Sequence, residues 1–173
     1  MTRSSTRRGI AVLAIAGATT AGVALLGTAA RATPHDLDGC AASQLDAALI
    51  AGSPGAGQRY AAVQFTARPG QTCDLEGVLP VTARGASGLT VEADPAGSAR
   101  VTLTPGGSAH LVLHWTSIEA PAEQVTPCGI TVAVPGSSGE SVDLPWRQGP
   151  VDSSAPAHRL TVGAVRPGPA PRA

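Results

Sequence analysis

Apolar and polar residues alternate along most of this chain, and the alternation predicts strands rather than helices. In Ala109-His110-Leu111-Val112-Leu113-His114-Trp115 one face carries Ala109, Leu111, Leu113 and Trp115, and the other carries His110, Val112 and His114. That is a strand with one face in a core. Ala61, Val63 and Phe65 alternate in the same way, with Tyr60, Gln64 and Thr66 opposite. Val101 with Leu103 repeats the pattern, as do Ile130, Val132 and Val134, then Val142, Leu144 and Trp146, then Leu160 with Val162. Residues 45–51 fit a strand through Leu45, Ala47 and Leu49, but their alanine content also suits a short helix.

Gly, Pro and Ser punctuate these runs at 52–55, 69–70, 85–88, 105–107 and 135–139. Many short strands separated by such turns predict an all-β fold, an antiparallel β-sandwich or barrel. Two sheets packed face to face would bury one side of each strand and leave the polar side wet. Pro80 falls inside a predicted strand and marks it as an edge, because proline offers no N–H to a second neighbour. The Pro-rich residues 166–173 read as a disordered tail.

The first 32 residues have a different character. Arg3, Arg7 and Arg8 form a positive end, 10–26 is an uncharged Ala/Gly/Val/Leu run, and Ala30-Arg31-Ala32 offers small residues where a signal peptidase reads. This predicts a signal peptide over 1–32, cleaved between Ala32 and Thr33, a linker over 33–39, and a secreted, extracellular product in which disulfides are permissible. An uncleaved anchor is the competing reading, and the A-x-A site speaks against it. Leu37-Asp38-Gly39-Cys40 loosely resembles a lipidation box, but Asp38 is wrong for it. Thr6-Arg7-Arg8-Gly9-Ile10 leaves both the general and the twin-arginine export routes open.

Cleavage changes the charge. The precursor is neutral, with 12 Arg against 12 Asp and Glu. Four arginines and no acidic residue leave with the signal, so 8 remain against 12, a net charge of −4. An acidic domain with no basic stripe is not expected to bind nucleic acid or anionic membranes, and the mature chain is not expected to insert stably in a bilayer. Residues 33–173 are one domain by length, able to bury about two-thirds of its unfolded surface. Tyr60, Phe65, Trp115 and Trp146 are the only aromatics, so the core is aliphatic. With no Lys and no Asn there is no P-loop lysine, Schiff-base lysine or N-glycosylation sequon.

The three cysteines are Cys40, Cys73 and Cys128. One disulfide plus one leftover thiol is the simplest arithmetic. A Cys40–Cys73 bridge would close a loop of about 33 residues and stabilise by about 3–4 kcal/mol in the chain-entropy account. The leftover thiol is expected to be buried, since free Cys behaves as a small hydrophobe. A reactive thiol, or one joining two chains, are the alternatives.

Candidate chemistry is thin. His110 and His114 share a strand face but lie about 13 Å apart, too far for one strand to give both to a zinc ion. No G-x-S-x-G elbow is present around Ser108 or elsewhere. Asp36 and Asp38 read as a solvated linker. The loop 119–127, with Pro121 and two glutamates, offers a surface to a partner, but the preferred reading is a solvated connection. No catalytic residue, cofactor or metal site is expected.

An ordered set of short motifs carries a family resemblance. Cys40 comes first, then Gly57-Gln58-Arg59-Tyr60 leading into a strand ending Phe65-Thr66. Cys73-Asp74-Leu75-Glu76-Gly77 with Pro80 follows, then Leu103-Thr104-Pro105-Gly106-Gly107-Ser108-Ala109 leading to Trp115. Cys128 precedes a strand, and Leu160-Thr161-Val162-Gly163 closes the order. In this order the chain resembles, over residues 40–165, the actinobacterial secreted domain-of-unknown-function family numbered 4232. It departs from that pattern at Ala67, where the family tends to have Asn, in a Gly-to-Pro spacing after Cys73 one residue longer, and in lacking a fourth cysteine near 146–150. The missing cysteine implies an unpaired Cys128 and a Cys40–Cys73 bridge. The resemblance implies an Ig-like β-sandwich and export, and no activity.

These readings together predict a secreted, non-catalytic, monomeric module that binds a protein or glycan, with the cell envelope as its setting. A Cys128-linked dimer is the alternative assembly. The alternative function is a secreted protease inhibitor presenting loop 119–127.

Overall fold

The structure is a computed structural model and describes residues 37–94, 96, 100–136, 139–153 and 159–172. The predicted signal peptide 1–32, its expected cleavage point at Ala32 and Thr33, and Asp36 lie outside the described residues. The described chain is nearly all β. Its strands are β1 (Leu45–Ala51), β2 (Gln58–Ala67), β3 (Cys73–Glu76), β4 (Val81–Arg84), β5 (Thr90–Ala93), β6 (Arg100–Leu103) and β7 (Ser108–Thr116). They continue as β8 (Gln124–Val125), β9 (Gly129–Ala133), β10 (Ser141–Pro145), β11 (Val151–Asp152), β12 (Arg159–Val162) and β13 (Arg166–Pro167). The main sheet runs β1-β2-β7-β12-β5, with β13 also on β7. A second layer has the order β10-β9-β4, and β3-β6 and β8-β11 form two short ribbons.

The alternation predicted from sequence sorts the side chains. Along β7, Ala109, Leu111, Leu113 and Trp115 are buried, and Val63 and Phe65 of β2 join them. Ile130 and Val132 of β9, Val81 of β4 and Leu144 of β10 close the same apolar cluster from the second layer. The fold is the expected all-β sandwich. Residues 45–51 resolve as a strand because all seven pair with β2. The intervening turn has positive φ at both Ala56 (47°) and Gly57 (81°), which a tight hairpin requires. Pro80 immediately precedes β4, an edge strand of its sheet, and the Pro80 carbonyl accepts from Ala133 N–H.

Three features depart from expectation. The pairing is not wholly antiparallel, because β5 lies parallel to β12, Thr90 opposite Arg159 through Ala93 opposite Val162. The expected linker is already engaged at its end, since Asp74 N–H donates to Asp38 O and Gly39 bridges Asp74. The residues read as a disordered tail are strand β13 and a docked extension. Arg166 pairs with His110, Pro167 pairs with Ala109, and Ala170 is buried.

A disulfide joins Cys40 to Cys73, both fully buried, across a sequence separation of 33. It fastens the segment before β1 to β3. Replacing both cysteines by alanine is expected to lower the unfolding free energy by about 3–4 kcal/mol, the loop-closure entropy returned to the unfolded chain. Urea denaturation of the double variant measures this, and an unchanged midpoint would show that the bridge does not hold the fold together.

Candidate functional site

The core-facing side of the main sheet is filled, so what this sheet offers a partner lies on its outer face. Register builds that face row by row. Tyr60 of β2 stands opposite His114 of β7, which stands opposite Thr161 of β12, which stands opposite Glu92 of β5. The Tyr60 and His114 rings stack, with centroids 4.7 Å apart and planes 27° from parallel. His114 Nε2 donates to the Gln58 side-chain oxygen, which fixes the imidazole on the strand surface. Tyr60 is 40% exposed, an uncommon position for one of four aromatics in the chain.

Shallow depressions flank this pair. One of about 250 Å³ lies between Tyr60, Gly52, Ser53 and Pro171. Another of about 260 Å³ is lined by Tyr60, Val112, His114, Thr161, Asp94 and Arg166. A third of about 150 Å³ extends from His114 and Thr161 to Arg159. The result is an aromatic step between mainly apolar hollows edged by hydroxyl, carboxylate and guanidinium groups.

His110 was expected to face solvent beside His114. It lies on the same outer face but is only 7% exposed, because the chain after β13 passes over it. Its Nδ1 donates to Gly168 O at 3.0 Å. The two histidines therefore have separate partners and are not brought together. Ser108 shares their face, two residues before His110, and its hydroxyl pairs with Thr66 Oγ1 at 3.1 Å. Among the described residues no cluster of three or more His, Cys, Asp or Glu is placed to hold a metal ion. Among them, too, no helix is long and apolar enough to cross a membrane.

Cys128 is the correction among the cysteines. It is free, as expected, but exposed rather than buried. Its parity with Ile130 and Val132 suggests an inward position, yet β9 begins only at Gly129, opposite Arg84 and Pro145. Cys128 directly precedes β9, its N–H donates to Arg84 O and its carbonyl accepts from Trp146 N–H, yet its side chain is exposed at this end of the sheet. Gly85 sits against it, and a Cβ there would come within 2.9 Å of Sγ.

Loop 119–127 is more ordered than a solvated connection. It contains a 3₁₀ turn, Pro121–Glu123, and strand β8, which pairs with β11. Its anchor is a carboxylate that sequence reasoning missed, Asp152, which is 0% exposed. Ile118 N–H donates to both oxygens at 3.0 and 3.1 Å, Glu119 N–H to Oδ1 at 3.1 Å, and the Gln124 amide to Oδ1 at 3.0 Å. Burial raises the pKa of this carboxyl most strongly, but the donors from Glu119, Gln124 and Ile118 together outweigh it, and the pKa lies below the ordinary value. A single Asp after Pro150 carries no local signal of this role. Directly before the loop, Ile118 is 69% exposed and leans on Gly57, where any Cβ would overlap its Cγ2.

Behind β7, Trp115 and Trp146 meet at 4.9 Å and 57°, and their indole N–H groups donate to Pro150 O and Gly149 O. These bonds hold the turn that delivers Asp152 to the loop.

The fold and this face define an all-β sandwich carrying an aromatic–histidine step on the outer side of its larger sheet. A family model described as "Domain of unknown function (DUF4232)" matches residues 40–166, and the chain belongs to that family. No curated protein and no solved structure matches the chain.

Because the folded pKa of Asp152 is depressed, its stabilisation is complete above the unfolded value and is lost as pH falls through the folded one. Unfolding free energy is expected to hold from neutrality down to about pH 4 and to fall below it. Asp152→Asn is expected to cost about 1–3 kcal/mol at neutral pH, since the charge that strengthens these bonds is lost and one acceptor oxygen becomes an NH2 donor among N–H groups. It should also flatten the decline below pH 4. Urea titrations at a series of pH values test both, and an unaltered acid slope would place the acid lability in other carboxyls.

Proposed function

We propose that the chain is an exported, non-catalytic binding module that engages a protein or glycan of the cell envelope through the outer face of its main sheet. The observation that carries this reading is Tyr60. An aromatic ring stacked on a histidine and left 40% exposed between two hollows offers contact area at low entropic cost. The groups that acid–base or nucleophilic chemistry would need have structural partners instead. Asp152 anchors a loop, His110 and His114 hold backbone and side-chain oxygens, and Ser108 pairs with Thr66. Export rests on the signal-like residues 1–32, and the buried Cys40–Cys73 disulfide suits an oxidising compartment. The module acts as a monomer, and the exposed Cys128 is the atom through which two copies would join.

The test is an NMR titration of the isotope-labelled protein with soluble envelope oligosaccharides and with peptides. Shifts are expected to cluster at Tyr60, Val112, His114 and Thr161, and Tyr60→Ala should weaken binding at least tenfold. Binding unaffected by that substitution would move the site elsewhere.

One observation favours a second reading, a protease inhibitor. Ile118 protrudes beside a loop whose backbone is fixed by a buried carboxylate, and an exposed side chain on a rigid loop is what an enzyme cleft can grip without cutting. On this reading the protein slows extracellular endopeptidases at micromolar concentration, Ile118→Asp abolishes the effect, and Tyr60→Ala leaves it intact. Rapid cleavage in the loop without inhibition would eliminate it.

A further inference from the structure

The chain beyond β13 reads Gly168-Pro169-Ala170-Pro171-Arg172, with Pro167 before it. Prolines at alternate positions leave only two backbone N–H groups between Pro167 and Pro171, and the sheet satisfies both. Gly168 N–H donates to Ser108 O at 2.9 Å, and Ala170 N–H donates to the Gln64 side-chain oxygen at 2.9 Å. The Gly168 carbonyl in turn accepts from His110 Nδ1. Ala170 is turned to the sheet and 6% exposed, while Pro167, Pro169 and Pro171 face out. Two outward side chains of the main sheet, Gln64 and His110, thus read the N–H and C=O pattern of an extended segment in which small residues alternate with proline. The segment lies beyond the matched family region, which ends at Arg166.

From this geometry we infer that the outer face is a docking site for extended peptide segments alternating proline with a small residue, and that residues 168–172 occupy it as an internal strap. This inference rests on the reading of that face as the binding surface, and names the ligand class. Recognition of a backbone pre-set by proline costs little entropy on binding. The strap is displaceable because its hold is slight. Over residues 168–172 it consists of three hydrogen bonds, two at Gly168 and one at Ala170, and the burial of one methyl group. Its position also bears on the rest of the face. Pro171 forms part of the wall of the hollow beside Tyr60, and Arg166, at the strap's root, lines the hollow on the other side. A peptide that takes the seat of residues 168–172 therefore opens the approach to Tyr60, and the strap competes with it from within the same molecule at high effective concentration.

The test uses the chain ended after Pro167, which keeps β13, beside the full chain. The probe is the synthetic peptide Pro-Gly-Pro-Ala-Pro-Arg-Ala, the sequence of residues 167–173. The shortened chain is expected to bind it saturably, with NMR shifts at the Gln64 amide and the His110 ring. The full chain should bind at least tenfold more weakly, and a peptide carrying Ala170→Phe should bind the shortened chain at least tenfold more weakly. No shift at Gln64 or His110 in a folded shortened chain at several millimolar peptide would overturn the inference. Equal binding by both chains would overturn the strap. Should the shortened chain fail to fold, Ala170→Phe in the full chain serves instead. It should raise hydrogen exchange at the residue 170 amide and increase peptide binding, and unchanged exchange with unchanged binding refutes the inference. A negative result here beside a Tyr60-dependent oligosaccharide response would reject the peptide site and leave the binding face standing, whereas failure of both would reject the face.

Discussion

Strand β7 exchanges hydrogen bonds along both of its edges, with β2 over nine consecutive pairs on one side and with β12 and β13 on the other. A strand held this way cannot slide, because a slip of one residue would exchange its two faces. Leu111, Leu113 and Trp115 would leave the core, and His110 and His114 would enter it without partners for their ring nitrogens. The same constraint sets the rows of the outer face. Tyr60 meets His114, and Gln64 meets His110, because the β2–β7 register allows no other neighbours. Core composition and surface recognition are thus two readings of one ladder.

The kink between β12 and β13 gives the outer face its asymmetry. After Val162 the chain leaves β7, Gly163 N–H still reaching Val112 O and Val165 N–H turning to Gly77 O, and it rejoins β7 at His110. One half of the face is thereby covered and the other left open. His110 and Gln64 lie under the returning chain, while Tyr60 and His114 lie beside it. The surface ion pairs, such as Arg68 with Asp46 and Arg159 with Glu92, are solvent-exposed and add little to stability, so the polar network that counts is the buried one around Asp152.

Much of this was legible in the sequence where the cause is local. The faces of β2, β7, β9 and β12 follow from period-2 alternation, the turns follow from glycine and proline, and the order of short motifs identified the family. What was hidden depends on distant chain segments. Nothing near Thr90–Ala93 announces a parallel partner at Arg159–Val162. Residues 166–172 look disordered because proline removes N–H groups, yet that same scarcity lets the sheet satisfy the few that remain. Asp152 is an ordinary acid until Ile118, Glu119 and Gln124 converge on it. Cys128 has the parity of the inward residues of β9 but is exposed where the sheet ends. The prominence of Tyr60 follows from its opposite neighbour rather than from its own surroundings in sequence.

The late position of β12 has a consequence for how the molecule comes into being. Strand β5 and one edge of β7 both wait for residues 159–162, so the larger sheet stays incomplete until those residues are in place. A chain of this kind cannot gain its stability piece by piece. It commits to the native topology in a single late closure, because the pairings that complete the sheet join strands distant in sequence.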